Sequence, residues 1–133
     1  MKLIEWNESL SVSVDSFDME HKELIKMINE FNSSEKSKID KIFEILDGLI
    51  HYSDFHFKNE ERFMKQSNYK FYEEHKAQHE RFISTINKLK KQYIEGRPFV
   101  YTKINRLLKT WLIEHIKKCD KKYAEHLIKT YKH

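Results

Sequence analysis

Residues 39–64 read IDKIFEILDGLIHYSDFHFKNEERFM, and they decide the fold. Ile39, Ile42, Phe43, Leu46, Leu49, Ile50, Phe57, Phe63 and Met64 recur every three or four positions, the period of an amphipathic helix. Two polar residues share that stripe. His56 and Glu60 stand four apart, so both project from the face that carries Ile42, Leu46, Leu49, Ser53 and Phe63. Ser37, with Asp40 three residues on, reads as a capping-box opening for this helix.

Three further blocks flank it. Upstream lie His21, Leu24, Ile25, Ile28 and Phe31, with Asp18 placed to cap the start. Downstream come Tyr72, Phe82, Ile83, Ile86, Leu89 and Tyr93, and then Val100, Ile104, Leu107, Leu108, Trp111, Leu112 and Ile116. Tyr123 and Leu127 follow in a tail. The breaks are short: Asn32-Ser33-Ser34-Glu35, Ser67-Asn68, and Gly96 with Pro98, a helix stop and restart. Short connections make consecutive helices antiparallel neighbours. The expected fold is all-α, an up-down-up-down antiparallel four-helix bundle with an N-terminal arm and a short C-terminal helical tail. The arm is anchored by Trp6. With no repeat, low-complexity tract or linker, residues 1–133 read as a single domain.

Composition agrees. Two glycines and one proline in 133 residues are too few for a fold of many tight turns. Nine Phe and seven Tyr argue against disorder, which is poor in aromatics. The net charge of +4, from 25 Lys+Arg against 21 Asp+Glu, is spread along the chain in short pairs such as Lys117-Lys118. No nucleic-acid motif accompanies them. The first residues lack the apolar run of a secretory signal, and no stretch approaches membrane-spanning length. The single Cys119 excludes an intramolecular disulfide and fits a reducing compartment. A soluble cytoplasmic protein is expected.

The informative residues are polar ones on apolar stripes. His75 and His79 repeat the four-residue spacing, in line with Tyr72, Phe82 and Ile86. His21 shares its face with Leu24, Ile25 and Ile28, and His115 follows Trp111 and Leu112. Any one of these, taken singly, reads as a packed core histidine. Taken together, four or five imidazoles and a carboxylate in one small core cost several kcal/mol per ion unless something pairs with them. No Lys or Arg stands at an equivalent place on these stripes. A metal cluster supplies the pairing, and imidazole with carboxylate but no thiolate suits iron, manganese or zinc.

Asp120 lies five residues after His115, and five steps of about 100° leave it about 140° off that face. It reaches the same site only if the helix widens, so a π-type turn is expected around Ile116–Cys119. His51, five before His56, points elsewhere and is read as a surface residue. His126 and His133 in the tail are given no ligand role. Asp18, three before His21, is read first as a cap and second as an outer partner of that histidine.

Four stretches carry a resemblance: Asp18-Met19-Glu20-His21-Lys22-Glu23-Leu24, His56-Phe57-Lys58-Asn59-Glu60-Glu61, His75-Lys76-Ala77-Gln78-His79, and Trp111-Leu112-Ile113-Glu114-His115-Ile116 with Asp120. In this order and spacing the chain resembles the hemerythrins, most closely the single-domain bacteriohemerythrins. Glu20 stands where the family commonly has glutamine, adding charge near His21, and Ser13 where it commonly has glycine.

The resemblance implies a non-haem diiron site with an oxo or hydroxo bridge. One iron would take His75, His79 and His115. The other would take His21 and His56 and keep an open position, and Glu60 and Asp120 would bridge the two. It further implies reversible O2 binding for carriage, storage or delivery, with O2 held as hydroperoxide on the iron with two histidines. Leu24, Phe57, Trp111 and Leu112 lie within a turn of these residues and would line an apolar O2 pocket. A diiron enzyme reducing O2, peroxide or nitric oxide is the alternative. The histidine-rich set and the absence of any Glu-x-x-His pair speak for an oxygen binder rather than an enzyme. An O2 or redox sensor acting through a separate partner, and a zinc or structural-metal bundle, remain as further readings.

Overall fold

A computed structural model describes residues 3–131. After a 3-10 turn at Glu8–Leu10 the chain forms α1 (Asp15–Asn32), α2 (Ile39–Gln66), α3 (Tyr72–Ile94) and α4 (Val100–His115). A π-helical turn, Ile116–Asp120, then leads into α5 (Lys121–Tyr131). No strand occurs among the described residues. Each of the four long helices packs on its neighbour in sequence, and α1 packs on α4 to close the bundle. No described helix is long and apolar enough to cross a membrane.

The apolar stripes meet in one core, where Phe17, Phe31, Leu46, Leu49, Met64, Ile86, Ile104 and Leu108 are fully buried. Two helices end alike. At the end of α2 the Tyr69 amide reaches Met64 O and the Asn68 amide reaches Lys65 O, with Asn68 at φ 54°. At the end of α3 the Arg97 amide reaches Gln92 O and the Gly96 amide reaches Tyr93 O, with Gly96 at φ 78°. Both are Schellman closures, which require a left-handed residue that Gly, and less readily Asn, supplies.

Two expected caps are corrected. Asp18 does not cap α1, because Phe17 belongs to the buried stripe and the helix begins a turn earlier, at Asp15. Its carboxylate instead accepts the Val12 amide at 2.9 Å and the Ser11 hydroxyl at 2.6 Å, tying the arm to α1. Both oxygens are thereby engaged away from His21, whose Nδ1 has no hydrogen-bond partner. The Ser37–Asp40 capping box does not form either. Lys38 precedes α2 with no side-chain cap, and the Ser37 amide closes a turn onto Ser34 O at 2.8 Å.

The arm is held further along by Asn29. Its side chain accepts the Ile4 amide at 3.0 Å and donates to the Ile4 carbonyl at 2.8 Å. Trp6 lies half-buried beneath Lys22, whose Nζ is 5.0 Å from the ring centroid. Ser13, in the same arm, adopts φ 63°, a conformation that suits glycine and strains a residue with a Cβ.

Candidate metal centre

The helices deliver seven donors to one end of the core. One-turn spacing puts His56 and Glu60 of α2 together, and likewise His75 and His79 of α3; α1 adds His21 and α4 ends in His115. Regular α geometry would carry Asp120 away from that face. The π turn over Ile116–Asp120 replaces i→i+4 bonding by i→i+5, which aligns residues five apart. Asp120 Oδ1 consequently lies 3.1 Å from His115 Nε2. None of the seven is more than 4% exposed.

They form two overlapping groups: Glu60, His75, His79, His115 and Asp120, and His21, His56, Glu60 and Asp120. The two carboxylates belong to both. Asp120 Oδ1 is also 3.0 Å from His75 Nε2, while Oδ2 is 3.1 Å from His21 Nε2. Glu60 Oε1 is 3.3 Å from His56 Nε2 and 3.4 Å from His79 Nε2. His115 Nε2 is 2.9 Å from His75 Nε2 and 3.1 Å from His79 Nε2.

Proton sharing does not account for this convergence. A ring nitrogen carries at most one proton, yet His115 Nε2 faces three acceptors at once. All four oxygens of Glu60 and Asp120, and both nitrogens of His21, are buried without a directed hydrogen bond. An unpaired buried polar group costs about 1–3 kcal/mol, and more when charged. A cation satisfies them together. At a metal–nitrogen distance of about 2.1 Å, donors at right angles stand about 3.0 Å apart and tetrahedral donors about 3.4 Å. The donor separations in the cluster, from 2.9 to 3.4 Å, span this range, so the residues fit a bound metal.

Outer contacts orient the rings. The Nδ1–H of His56 donates to Glu20 Oε1 at 2.5 Å, and Asn59 donates to Glu20 Oε2 at 3.0 Å. That of His79 donates to Glu61 Oε2 at 2.9 Å, and that of His115 to Gln78 Oε1 at 3.1 Å. With the Nδ1 proton directed outward, each Nε2 presents a lone pair to the centre. Phe57 lies flat on His79, centroids 4.0 Å apart, and Trp111 on His115 at 4.3 Å.

Burial and mutual proximity shift the titration of the buried groups in opposite directions. Burial, reinforced by the charge of Asp120, pushes the Glu60 carboxyl up to about 8. Burial pushes His115 down to about 4. For His21 burial acts downward too, but the Asp120 and Glu60 carboxylates outweigh it and the imidazole is raised. Burial acts upward on Asp120, and His115, His21 and His75 together outweigh it, holding that carboxyl well below its ordinary value.

The structure thus brings together all seven residues expected from the sequence. It also places Leu24, Phe57, Trp111 and Leu112 around one small apolar void of about 10 Å3, completed by Ile28, Leu49, Ser53, Phe82 and Leu108. That is about the space of one water-sized sphere. Ser53 spends its hydroxyl on Leu49 O at 2.8 Å, which leaves the wall apolar. His51 is exposed, and His126 donates its Nε2–H to Ser67 O at 2.9 Å, fastening the tail to the end of α2. His133 lies outside the described residues. Sequence reasoning missed Glu61 and Gln78, and it found the charge of Glu20 near His21 but not its hydrogen bond with the His56 ring. Tyr123, legible in the sequence only as an apolar tail residue, is fully buried with an unpartnered hydroxyl and its ring 6.1 Å from that of His75.

Comparison with known proteins agrees with this geometry. Residues 12–127 match the family model described as Hemerythrin HHE cation binding domain. A bacteriohemerythrin of Methylococcus capsulatus is 31% identical over 126 residues, 93% of this chain and 96% of its own. One of Stenotrophomonas maltophilia is 29% identical, over 94% of this chain and 82% of its own. The crystal structure of a wild-type hemerythrin superposes with a TM-score of 0.86 at 31% identity, covering 94% of this chain and 98% of that one. With the family model spanning most of its length and the donor cluster in its core, the chain belongs to the hemerythrin family.

Proposed function

We propose that the chain binds O2 reversibly at a two-iron centre, as a carrier, store or local source of oxygen rather than as an enzyme. One observation carries the reading: two donor groups share Glu60 and Asp120, and one of them has a protein donor fewer than the other. His75, His79 and His115 would hold one iron, His21 and His56 the second, with the two carboxylates between them and an oxo or hydroxo bridge completing the pair. Such a centre supplies, when bound, metal-to-oxygen electron transfer that reverses on release.

The residues of the chain have three tasks in this. Glu20, Glu61 and Gln78 hold three imidazoles in the tautomer that leaves Nε2 free. Leu24, Phe57, Trp111 and Leu112 exclude water beside His21, His56 and His115, all within one turn of them on the same helices. The four carboxylate oxygens, unpaired otherwise, balance the metal charge inside the core. The single thiol fits a reducing, cytoplasmic setting.

The test is anaerobic loading with ferrous iron, a metal count, and repeated O2 exposure and degassing while the visible spectrum is recorded. About two irons per chain are expected, with a colour that appears in O2 and fades on degassing. Iron that oxidises once and does not return would assign the chain to turnover of O2, peroxide or nitric oxide instead.

A further inference from the structure

An open groove of about 500 Å3 runs between α3 and α4, bordered by Gln78, Cys119 and the outer edge of His115. Gln78 Oε1 accepts two hydrogen bonds there, from His115 Nδ1–H at 3.1 Å and from Cys119 Sγ–H at 3.0 Å. A carbonyl oxygen has two lone pairs for these two donors. Rotating the amide by half a turn would set its NH2 against the Nδ1–H of His115 and leave the Cys119 sulfur only as a weak acceptor. The thiol, which sits on the π turn beside Asp120, therefore adds a second donor that favours the observed amide orientation. The amide in turn keeps the proton of His115 on Nδ1 and leaves its Nε2 lone pair for the centre.

The partner is also of a different kind from its counterparts. His56 and His79 rest on carboxylates, Glu20 and Glu61, whereas His115 rests on a neutral amide. A carboxylate strengthens an imidazole as an electron donor, and an amide does so less.

We infer that Gln78 is a positioning residue for His115, that Cys119 locks it in place, and that this pair tunes the half of the centre made by His75, His79 and His115. The inference rests on the metal-centre reading above. Cys119 acts here as a hydrogen-bond donor, with no covalent chemistry of its own.

Zinc, which is redox-silent, measures positioning without iron or O2. Its affinity would be read by chelator competition in the wild type, Gln78→Leu, Cys119→Ala and Cys119→Ser. Gln78→Leu is expected to weaken binding by about 10- to 100-fold. Cys119→Ala should move it the same way by less, and Cys119→Ser, which restores an oxygen–hydrogen donor, should return it towards wild type. In the iron-loaded protein Gln78→Glu should lower the ferric–ferrous midpoint potential, a readout that packing alone would not move in a set direction. Wild-type zinc affinity in Gln78→Leu, identical behaviour of the alanine and serine variants, or an unchanged potential in Gln78→Glu would each overturn the inference. A wild-type chain that takes up neither metal would instead overturn the metal-centre reading, and the inference with it.

Discussion

The two halves of the centre share their carboxylates and differ in almost everything else. On one side three imidazoles converge, with His115 Nε2 within 3.1 Å of both others, and two of the rings are held from behind by Glu61 and Gln78. On the other side stand only His21 and His56. Glu20 grips His56 at 2.5 Å, but His21 is fully buried with neither nitrogen in a directed hydrogen bond. The first group has five protein donors and the second four. Under the proposed function, the crowded half would hold its metal with protein donors and the sparse half would leave a side for O2.

The largest expected effects come from removing donors. Asp120→Ala takes a ligand from both halves and should reduce iron loading to well below one ion per chain, as measured by elemental analysis. His21→Ala touches the sparse half alone, so about one iron should remain while O2-dependent colour disappears. Equal loss of metal in the two variants would show that the halves do not load separately.

Loading should also depend on pH through the shared Glu60. Its carboxyl, raised to about 8, holds a proton at neutral pH in the metal-free core. A metal must displace that proton, so affinity should rise as pH climbs toward 8 and fall below it. Chelator competition at pH 6 and pH 8 checks the sign. Because both halves use Glu60, both should weaken together on acidification.

Smaller effects separate the halves again. Glu20→Gln replaces the carboxylate behind His56, and Glu61→Gln the one behind His79. Each should weaken metal binding by about 10- to 100-fold. Only Glu20→Gln should shift O2 affinity strongly, as spectrophotometric titration would show. The smallest effect lies outside the centre. Ser13→Gly relieves a left-handed backbone in the arm and should raise stability by about 0.5–1 kcal/mol, seen as a higher thermal midpoint. Iron count and O2 affinity should stay unchanged.

Much of this was legible in the sequence because it is periodic. Apolar stripes of period 3.6 mark the four helices, and His56 with Glu60 and His75 with His79 lie on them at one-turn spacing. Even the irregularity was readable: His115 and Asp120 are five apart, and only a widened helix unites them, as the turn at Ile116–Asp120 does.

The outer partners were not legible for an equally physical reason. Glu61 and Gln78 each sit one residue from a stripe donor, about 100° around the helix. Periodicity sorts such positions as boundary residues. Their contacts cross from α2 to α3 and from α3 to α4, which no single helix reports. Glu20 was legible only as charge near His21; its hydrogen bond crosses from α1 to His56 on α2, which adjacency in sequence does not report. The cap at Asp18 failed because the buried stripe reaches back to Phe17 and the helix starts at Asp15, and the cap at Ser37 failed because its amide closes a turn onto Ser34 O.

Diffraction from iron-loaded crystals exposed to azide is the most direct test of the division of labour between the halves. Two anomalous iron peaks are predicted, one among His75, His79 and His115 and one beside His21 and His56, with azide on the second. A single peak, or azide on the iron of the three histidines, would contradict it.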